Sequence, residues 1–272
     1  MIPAQFSYQR ASSVDEALEL AASGGEDAKF LAGGHSLLPL MKMRLAVPEI
    51  LIDIGRLSDL SYVRDDGSHI AVGALTSHDD VARCTLLADE LPLLAHAAAQ
   101  VGDPQVRHRG TIGGSLAHAD PAADLPAVAV ALDATLVTRG PSGSREIAAG
   151  DFFLGLFETV LEPGELLTEI RIPKPEASGW SFQKFTKRAI DWAIVGVAVQ
   201  GGSVALVNMG QTPVRASAVE RALASGAGPR EAAAHAAEGA DPSDDLNGSR
   251  AYREHLARVL VARALEESLS RS

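Results

Sequence analysis

Two glycine-rich turns contain the residues of this sequence that are best suited to bind an anion. The first is AGGHS, residues 32–36, and the second is TIGGS, residues 111–115. Glycine adopts positive φ without strain and has no Cβ to keep a ligand away from the backbone. Successive amide N–H groups in such turns can converge on a phosphate, and a helix that follows adds the positive end of its dipole. Two such turns could hold a diphosphate from both sides.

Other interpretations of these turns stay open on the residues alone. A single glycine pair before a helix is usually only a tight connection, and the GxGxxG fingerprint of a Rossmann dinucleotide site is absent. The segment HADPAAD offers His118, Asp120 and Asp124 as metal ligands, but Pro121 and the close spacing oppose their convergence. We therefore predict no metal site here.

Composition limits the chemistry that the chain can perform. Cys84 is the only cysteine among 272 residues, so neither a disulfide framework nor an iron–sulfur cluster can be built from this chain. Redox chemistry would need an organic cofactor or another subunit. The net charge of -11 argues against a nucleic-acid partner. No apolar run approaches the roughly 20 residues that span a bilayer, and the first residues become polar too soon for a signal peptide, so we expect a cytoplasmic protein.

The elements around the two turns follow an α/β pattern at first. Ser13 with Glu16 predicts a capped helix, which is followed by a strand, the first turn, a helix and a second strand. Asp66-Gly67 predicts a hairpin. Helical segments on both sides of Pro92 lead to the second turn, and beyond it a helix gives way to a strand near Ala134.

The last third of the chain has a different organisation. The prolines and glycine of residues 173–179 are typical of a linker. Three strands are predicted in residues 180–210, with Gly201-Gly202 as a tight turn. Two helices, ASAVERALAS and SRAYREHLARVLVARALEES, are predicted to close the chain.

The two glycine motifs resemble a known pair of signatures. AGGHSLLPLMKMRLA and TIGGSLAHADPAADLPAV are similar to the FAD-binding signatures of the medium subunit of carbon monoxide dehydrogenase-type enzymes. These enzymes belong to the molybdenum hydroxylases, together with the flavin domain of xanthine dehydrogenase. The resemblance covers essentially the whole chain, including FQKFTKRAIDWAIVGVAV and the C-terminal helix.

The resemblance implies an α+β fold in two parts. Residues 1–173 would form an FAD-binding module of two subdomains, of the vanillyl-alcohol-oxidase-like (PCMH) type. Residues 174–179 would be a linker. Residues 180–272 would form a C-terminal flavoprotein domain, a three-stranded antiparallel sheet with helices.

The resemblance also implies the cofactor contacts. The amides of both turns would bind the FAD pyrophosphate, and Ser115 stands where Asn is frequent, which implies a changed contact. The residues implied to bind FAD are Ala32, Gly33, Gly34, His35, Ser36, Val101, Thr111, Gly113, Gly114, Ser115, Asp124, Leu167, Lys184 and Trp192. We assign no catalytic residue and no metal ligand to this chain.

Two charged residues have further implied roles. Asp124 would accept hydrogen bonds from a ribose or ribityl hydroxyl, although an Asp that only stabilises a helix N-terminus is the alternative. Lys184 matches a lysine directed at the flavin ring, where a cation favours the anionic reduced form. Taken alone, Lys184 would be interpreted as a surface lysine. Leu167 would border the ring.

The segment around Trp192 departs from its relatives, which often have Tyr there. Trp192 could cover one flavin face and gate access of the electron acceptor, or it could be an ordinary core tryptophan. Arg188 and Asp191 are expected to pair and position this turn. Arg107 and Arg109 are candidates for a subunit contact or for the phosphate neighbourhood. The remaining histidines are predicted to be surface or capping residues: His69, His78, His96, His108, His235 and His255.

The resemblance implies an FAD-binding electron-transfer subunit. Substrate would be oxidised at a molybdopterin centre in a large subunit, and electrons would pass through 2Fe-2S clusters of a small subunit to FAD. From FAD they would reach NAD+, a quinone, O2 or another acceptor, within a dimer of heterotrimers. Two alternatives stay open: a stand-alone flavin oxidase, and a non-catalytic nucleotide-binding assembly protein.

Overall fold

The computed structural model describes residues 2–176 and 179–271. The strands are β1 Ser7–Arg10, β2 Ala28–Leu31, β3 Ile50–Asp53, β4 Val63–Asp65, β5 His69–Gly73, β6 Thr135–Gly140, β7 Gly143–Ala148, β8 Phe153–Gly155, β9 Glu158–Thr159, β10 Leu166–Pro173, β11 Trp180–Phe185, β12 Val195–Gln200, β13 Ser203–Val207 and β14 Val214–Arg215. The helices are α1 Val14–Gly24, α2 Leu37–Met43, α3 His78–Arg83, α4 Thr85–Glu90, α5 Pro92–Ala99, α6 Pro104–Arg107, α7 Ile112–His118, α8 Asp124–Ala131, α9 Ala149–Phe152, α10 Ser217–Ala224, α11 Pro229–Ala233 and α12 Arg250–Ser270.

The first subdomain is a small parallel sheet of order β1-β3-β2 with α1 packed against it. Ser13 caps α1 as predicted, by accepting a hydrogen bond from the amide of Glu16. The Glu16 side chain returns to Ser12 rather than to Ser13, so the capping box is displaced by one residue. The sequence did not predict β1, because all four of its residues are exposed and carry no apolar alternation.

The second subdomain is a five-stranded antiparallel sheet of order β4-β5-β10-β6-β7. Its β4–β5 hairpin confirms the prediction made from Asp66-Gly67. The helical region around Pro92 has more breaks than predicted, since α3, α4 and α5 are separate helices and Pro92 begins α5. All eight residues of α8 are buried, and this helix packs on α5 and on the C-terminal sheet.

The C-terminal part is an antiparallel sheet of order β11-β12-β13-β14. The three predicted strands are present, and β14 adds a fourth strand of two residues, which is too short to give a sequence signal. Successive residues of β12 and β13 face opposite sides, so one face packs on the helices that follow and the other continues the core of the second subdomain. The two parts of the chain therefore share one core.

The predicted linker is only partly described. Residues 177 and 178 lie outside the described residues, and the division of the chain at residues 174–179 stays a prediction. Lys174, at its start, donates from Nζ to Asp65 Oδ2 at 2.9 Å. In the described ranges, 2–176 and 179–271, no helix has the length and apolar character needed to cross a membrane.

Candidate functional site

One large cleft of about 890 Å³ lies where the two subdomains and the β11–β12 loop meet. Its volume is in the range of sites that bury small molecules and cofactors. All fourteen residues implied by the sequence to bind FAD line this cleft: Ala32, Gly33, Gly34, His35, Ser36, Val101, Thr111, Gly113, Gly114, Ser115, Asp124, Leu167, Lys184 and Trp192. The fold thus brings together residues that are up to 160 positions apart in the chain (from 32 to 192).

The two glycine turns are in direct contact. A Cβ on Gly33 would lie 1.9 Å from the carbonyl oxygen of Arg109 and 2.9 Å from Cα of Gly110, so no other residue fits there without displacing the second segment. Gly34 has φ of +79°, which L side chains rarely adopt. Gly33 is therefore required by the close approach of the two backbones, and Gly34 by its backbone conformation.

The amides of the first turn are available to a ligand. In the part of the chain that the structure describes, the N–H groups of Gly33, Gly34, His35 and Ser36 donate to no protein acceptor, whereas the next amides enter helix α2 through Leu38 N to Gly34 O at 3.1 Å. Backbone N–H groups need an acceptor or water. Several free amides in one turn form a concavity suited to an anion.

The second turn differs from the expectation that its amides also face an anion. Thr111 is the N-cap of α7, and Ile112–His118 are helical. The amides of Ile112, Gly113, Gly114 and Ser115 donate to Thr76 O, Ala74 O, Thr111 Oγ1 and Thr111 O at 3.0, 2.8, 3.1 and 3.0 Å. Their hydrogen bonds are already made inside the protein. Among the described residues of this turn, the amide of Thr111 is the one without a protein acceptor, and the Thr111 and Ser115 hydroxyls lie beside it.

Asp124 and Lys184 form a buried ion pair within the cleft. Lys184 Nζ lies 2.6 Å from Asp124 Oδ2 and 3.0 Å from the carbonyl oxygen of Gln100, and the two side chains are only 5% and 4% exposed. This burial rules out a surface lysine. Desolvation raises the pKa of Asp124 to about 6, although the Lys184 ammonium and its hydrogen bond act in the opposite direction.

The second oxygen of Asp124 is left without a donor. Oδ1 is buried and has no hydrogen-bond partner among the described residues. Asp124 begins α8, so it also lies at a helix N-terminus, as the alternative interpretation required. An unpartnered buried carboxylate oxygen at the wall of a cleft is suited to accept a hydrogen bond from a ligand hydroxyl.

Trp192 lies at the mouth of the cleft and is 60% exposed, which rules out a core tryptophan. It belongs to the loop of residues 186–194 between β11 and β12. Asn208 holds the base of this loop: its Nδ2 donates to Ala193 O at 2.7 Å and its amide donates to Pro121 O at 2.8 Å. The expected Arg188–Asp191 ion pair is not found; the amide of Asp191 instead donates to Arg188 O at 3.0 Å.

Sequence reasoning missed some of the lining residues. Phe157 is 54% exposed, has φ of +57° and packs on the ring of His118 with centroids 5.0 Å apart. His78 was predicted to be a surface or capping residue, but it is 4% exposed and lines the cleft. Neither residue belongs to a motif, and only the tertiary fold places them here.

The two arginines before the second turn have different environments. Arg107 donates from Nη1 to Val101 O and Gly102 O at 3.1 and 3.2 Å, and so fixes the loop that carries Val101 into the cleft. Arg109 is exposed. Among the described residues, no group of three or more His, Cys, Asp or Glu side chains could hold a metal ion.

The site and fold correspond to a class of flavin-binding oxidoreductase subunit. Residues 4–175 match the family model described as the FAD binding domain in molybdopterin dehydrogenase, and residues 180–268 match the CO dehydrogenase flavoprotein C-terminal domain. The chain belongs to this family of FAD-binding flavoprotein subunits. The resemblance stated from the motifs, the α+β fold and FAD as the cofactor are thereby confirmed.

Individual relatives are similar over their full length. The chain is 42% identical to the carbon monoxide dehydrogenase medium chain of Hydrogenophaga pseudoflava, over 100% of this chain and 99% of the relative. It is 40% identical to the 6-hydroxypseudooxynicotine dehydrogenase complex subunit alpha of Paenarthrobacter nicotinovorans, over 100% and 97%. A solved structure of carbon monoxide dehydrogenase from Hydrogenophaga pseudoflava superposes with a TM-score of 0.94 at 43% identity, covering 100% of this chain and 99% of that chain.

The residues present fit FAD. The free amides of the first turn suit a phosphate, and the unpartnered Asp124 Oδ1 suits a ribose or ribityl hydroxyl. Gly114 lies between the two turns: a Cβ there would be 2.7 Å from Thr111 Oγ1 and 4.0 Å from Ala32 Cβ, so a side chain at this position would enter the cleft wall.

Proposed function

We propose that this chain is the FAD-carrying electron-transfer subunit of a molybdenum-containing hydroxylase. Its partners would be a large molybdopterin-binding subunit and a small subunit with 2Fe-2S clusters, assembled as a dimer of heterotrimers in the cytoplasm. The names of the relatives, medium chains and dehydrogenase complex subunits, support a multi-subunit enzyme. The lone cysteine supports cluster-bearing partners, because Cys84 alone cannot ligate a cluster.

The observation that carries this proposal is the convergence of both glycine turns and the Asp124–Lys184 pair on one cleft. The free amides of Gly33 to Ser36 would bind the diphosphate, and Asp124 Oδ1 would accept a hydrogen bond from a sugar or ribityl hydroxyl. Leu167 and Val101 would supply apolar walls. Bound FAD supplies electron storage and transfer, which no side chain of this chain provides.

Lys184 and Trp192 would tune and cover the ring. The ammonium of Lys184 is held on two sides by Asp124 and Gln100, so its position is fixed by the protein. A fixed cation at the ring edge favours added negative charge there. Trp192, exposed at the mouth, would stack on one face and limit access of the acceptor, which would be NAD+, a quinone, O2 or another carrier.

The experiment that tests this proposal is purification of the chain alone and together with its companion chains. We expect close to one FAD per chain in both preparations. Small carbon substrates should reduce the flavin only in the complex, because the chain alone has no site that oxidises them. Reduction in the isolated chain would instead favour a stand-alone flavin oxidase, and a colourless preparation would favour the assembly protein.

A further inference from the structure

A tight turn of sequence EPGE, residues 162–165, lines the cleft and has no role in the assignments above. It lies between β9 and β10. Proline fixes the φ that the second residue of a type II turn needs, and glycine adopts the positive φ of the third. Gly164 has φ of +75°, and the amide of Glu165 donates to Glu162 O at 2.9 Å. The sequence and the structure therefore agree on a type II turn, which we call the EPGE turn.

The EPGE turn lies beside the first subdomain. A Cβ on Gly164 would be 3.7 Å from Ala21 Cβ of α1. Leu166, the residue after the turn, is 5% exposed and belongs to the apolar cluster against which Phe30 and Ala32 pack. Phe30 is in β2, and Ala32 begins the first glycine turn. The EPGE turn and β2 are therefore neighbouring parts of the cleft wall.

The cleft has a second, different wall on the side of the second subdomain. Val101 and Leu167 belong to the separate apolar cluster of that subdomain, as do the residues of α8 that follow Asp124. Asp124 and Lys184, to which we assign the flavin half of FAD, form their ion pair on this side.

The position of the diphosphate divides FAD between these two walls. The strand β2 leads directly into the free amides of the first turn and extends away from them over about 13 Å, at about 3.3 Å per residue. A diphosphate bound at these amides has a flavin-bearing end and an adenosine end. With the flavin on the side of Lys184, the adenosine is left with the wall that β2 and the EPGE turn form.

Glu165 holds the EPGE turn in place with its carboxylate, which is 4% exposed at the side chain. Its Oε1 accepts from Arg145 Nε at 2.6 Å and from Thr138 Oγ1. Its Oε2 accepts from Arg145 Nη2 at 2.6 Å and from the amide of Glu162 at 2.8 Å. Arg145 Nη2 also donates to Val160 O at 2.5 Å. The carboxylate thus fixes the first residue of the turn, and Arg145 fixes the chain before it.

These bonds require a charged carboxylate. Burial opposes ionisation of Glu165, but hydrogen bonds from Arg145, Thr138 and the Glu162 amide outweigh it and lower its pKa below that of an ordinary glutamate. Each carboxylate oxygen accepts from Arg145, so an amide in its place would direct its NH2 group at an N–H of this guanidinium in either orientation. Glu165→Gln therefore releases the turn but keeps the size of the side chain.

We propose that the EPGE turn packs against the adenosine half of FAD, and that Glu165 is the positioning residue that holds this turn. Pro163 is exposed at the tip of the turn and offers an apolar ring, and Leu161 and Leu166 line the cleft on either side of it. Apolar walls with a few polar groups suit a purine nucleoside. This inference rests on the proposed FAD site and names the part of it that distinguishes FAD from FMN.

The test measures ligand binding to E165Q and to the wild type by calorimetry, using the full chain freed of flavin. ADP has the adenosine and the diphosphate but no flavin, and FMN has the flavin and one phosphate but no adenosine. A turn that is ordered for only part of the time lowers the apparent affinity by that fraction, so E165Q should bind FAD and ADP about tenfold less tightly or weaker. The affinity for FMN, measured by displacement of FAD, should stay within about twofold of the wild type.

Glu169→Gln is the matched control. Glu169 is on β10 as well, is 11% exposed at its side chain and accepts from Arg171 Nε at 2.5 Å, but it lies outside the residues that line the cleft. Both variants lose a buried ion pair, so both should unfold at a lower urea concentration than the wild type. E169Q should nevertheless bind FAD, ADP and FMN as the wild type does.

The possible outcomes separate this inference from the proposed function. Unchanged ADP affinity in E165Q would overturn the inference and leave the proposed function intact, as would a wild type that binds FAD but not ADP. Equal weakening of ADP and FMN in E165Q, or weakening of ADP in E169Q to the same extent, would show a general loosening of the cleft and would also overturn it. A wild-type chain that binds no FAD would refute the proposed function itself.

Discussion

Asp124 and Lys184 illustrate, at the scale of single residues, why a buried ion pair is informative about ligands. Removing two charges from water costs several kcal/mol per ion, so such a pair adds little net stability. The pair is also incomplete, because Asp124 Oδ1 has no donor among the described residues. Stability alone therefore does not account for it. We infer that the pair is retained because it presents one oxygen and one ammonium at fixed positions in the cleft.

The raised pKa of Asp124 predicts an unusual pH dependence of stability. An unfolded Asp has a pKa of about 3.9, whereas the folded carboxyl has one of about 6. Between these pH values the folded chain keeps a proton that the unfolded chain loses. The contribution of Asp124 to the free energy of unfolding therefore falls as the pH rises from about 4 to about 6, by roughly 2–3 kcal/mol.

Asp124→Asn should remove this contribution. The free energy of unfolding is measured by urea titration of the flavin-free protein at pH 4.5, 5.5 and 6.5. At each higher pH, the value for the variant should rise relative to that of the wild type. Asp133→Asn is the matched control, because Asp133 follows the same helix but is 65% exposed at its side chain and pairs with Arg215. If the free energies of unfolding of D124N and the wild type differ by the same amount at all three pH values, the raised pKa of Asp124 is contradicted.

At the scale of elements, the second glycine turn works as a helix N-terminus. A Cβ on Gly114 would lie 2.7 Å from Thr111 Oγ1, the atom that caps the Gly114 amide. Gly114→Val would thus displace the cap and place methyl groups between the two turns. We expect this variant to lose FAD during purification, as absorbance per chain would show. Gly150→Val is the control, since a Cβ there meets nothing within 4 Å; full flavin content in G114V would show that this turn does not border the cofactor.

The loop that carries Trp192 depends on a bridge made by Asn208. Asn208 has φ of +60° and joins the Pro121 segment to the end of the loop through two donors. Asn208→Gly keeps this backbone conformation without strain but removes the side chain, so Ala193 O loses its donor. The cost is about 1–2 kcal/mol, which should make local opening of the loop about 5–30 times more frequent.

Trypsin reports this opening, because Lys187 and Arg188 lie in the loop. In N208G, the initial rate of cleavage after these two residues should be about 5–30 times that of the wild type. Cleavage after Arg230, which is 86% exposed at its side chain in α11, is the internal control and should not change. Equal acceleration at both places would indicate global destabilisation and contradict a local bridge.

At the scale of the whole molecule, the sequence was most informative where a motif encodes its own backbone. The two glycine turns, the β4–β5 hairpin and the helix after Ser249 are specified by local chemistry, and the residues of the cleft followed from the family resemblance. The free amides of Gly33 to Ser36 and the bonded amides of residues 112–115 could not be distinguished from sequence. Both segments contain GG before a helix. The amides of Ile112 and Gly113 differ because Thr76 O and Ala74 O approach them, which happens only in the folded protein, whereas those of Gly114 and Ser115 are bonded locally by Thr111.

Contacts between residues far apart in the chain could not be predicted from the sequence either, because the partners approach each other only in the folded protein. Asp124 and Lys184 are 60 positions apart, and each was given a separate role. His78 has no motif around it, so the default for a histidine at a helix start was a surface position. The shared core between the two parts of the chain was also not predicted, because alternation in β12 and β13 shows that both faces are buried but not what covers them.

That shared core predicts that the cofactor module and the C-terminal sheet unfold together. Phe182, in β11, is 4% exposed and packs in the same cluster as α5 and α8. Phe182→Ala should lower the free energy of unfolding by about 3–5 kcal/mol. If the core is continuous, release of FAD from the module and loss of secondary structure should shift to the same lower urea concentration. Phe185→Ala, on the same strand but 36% exposed, should shift both far less. Two separate transitions in F182A, with FAD released at the wild-type midpoint, would show instead that the module is stable without the sheet.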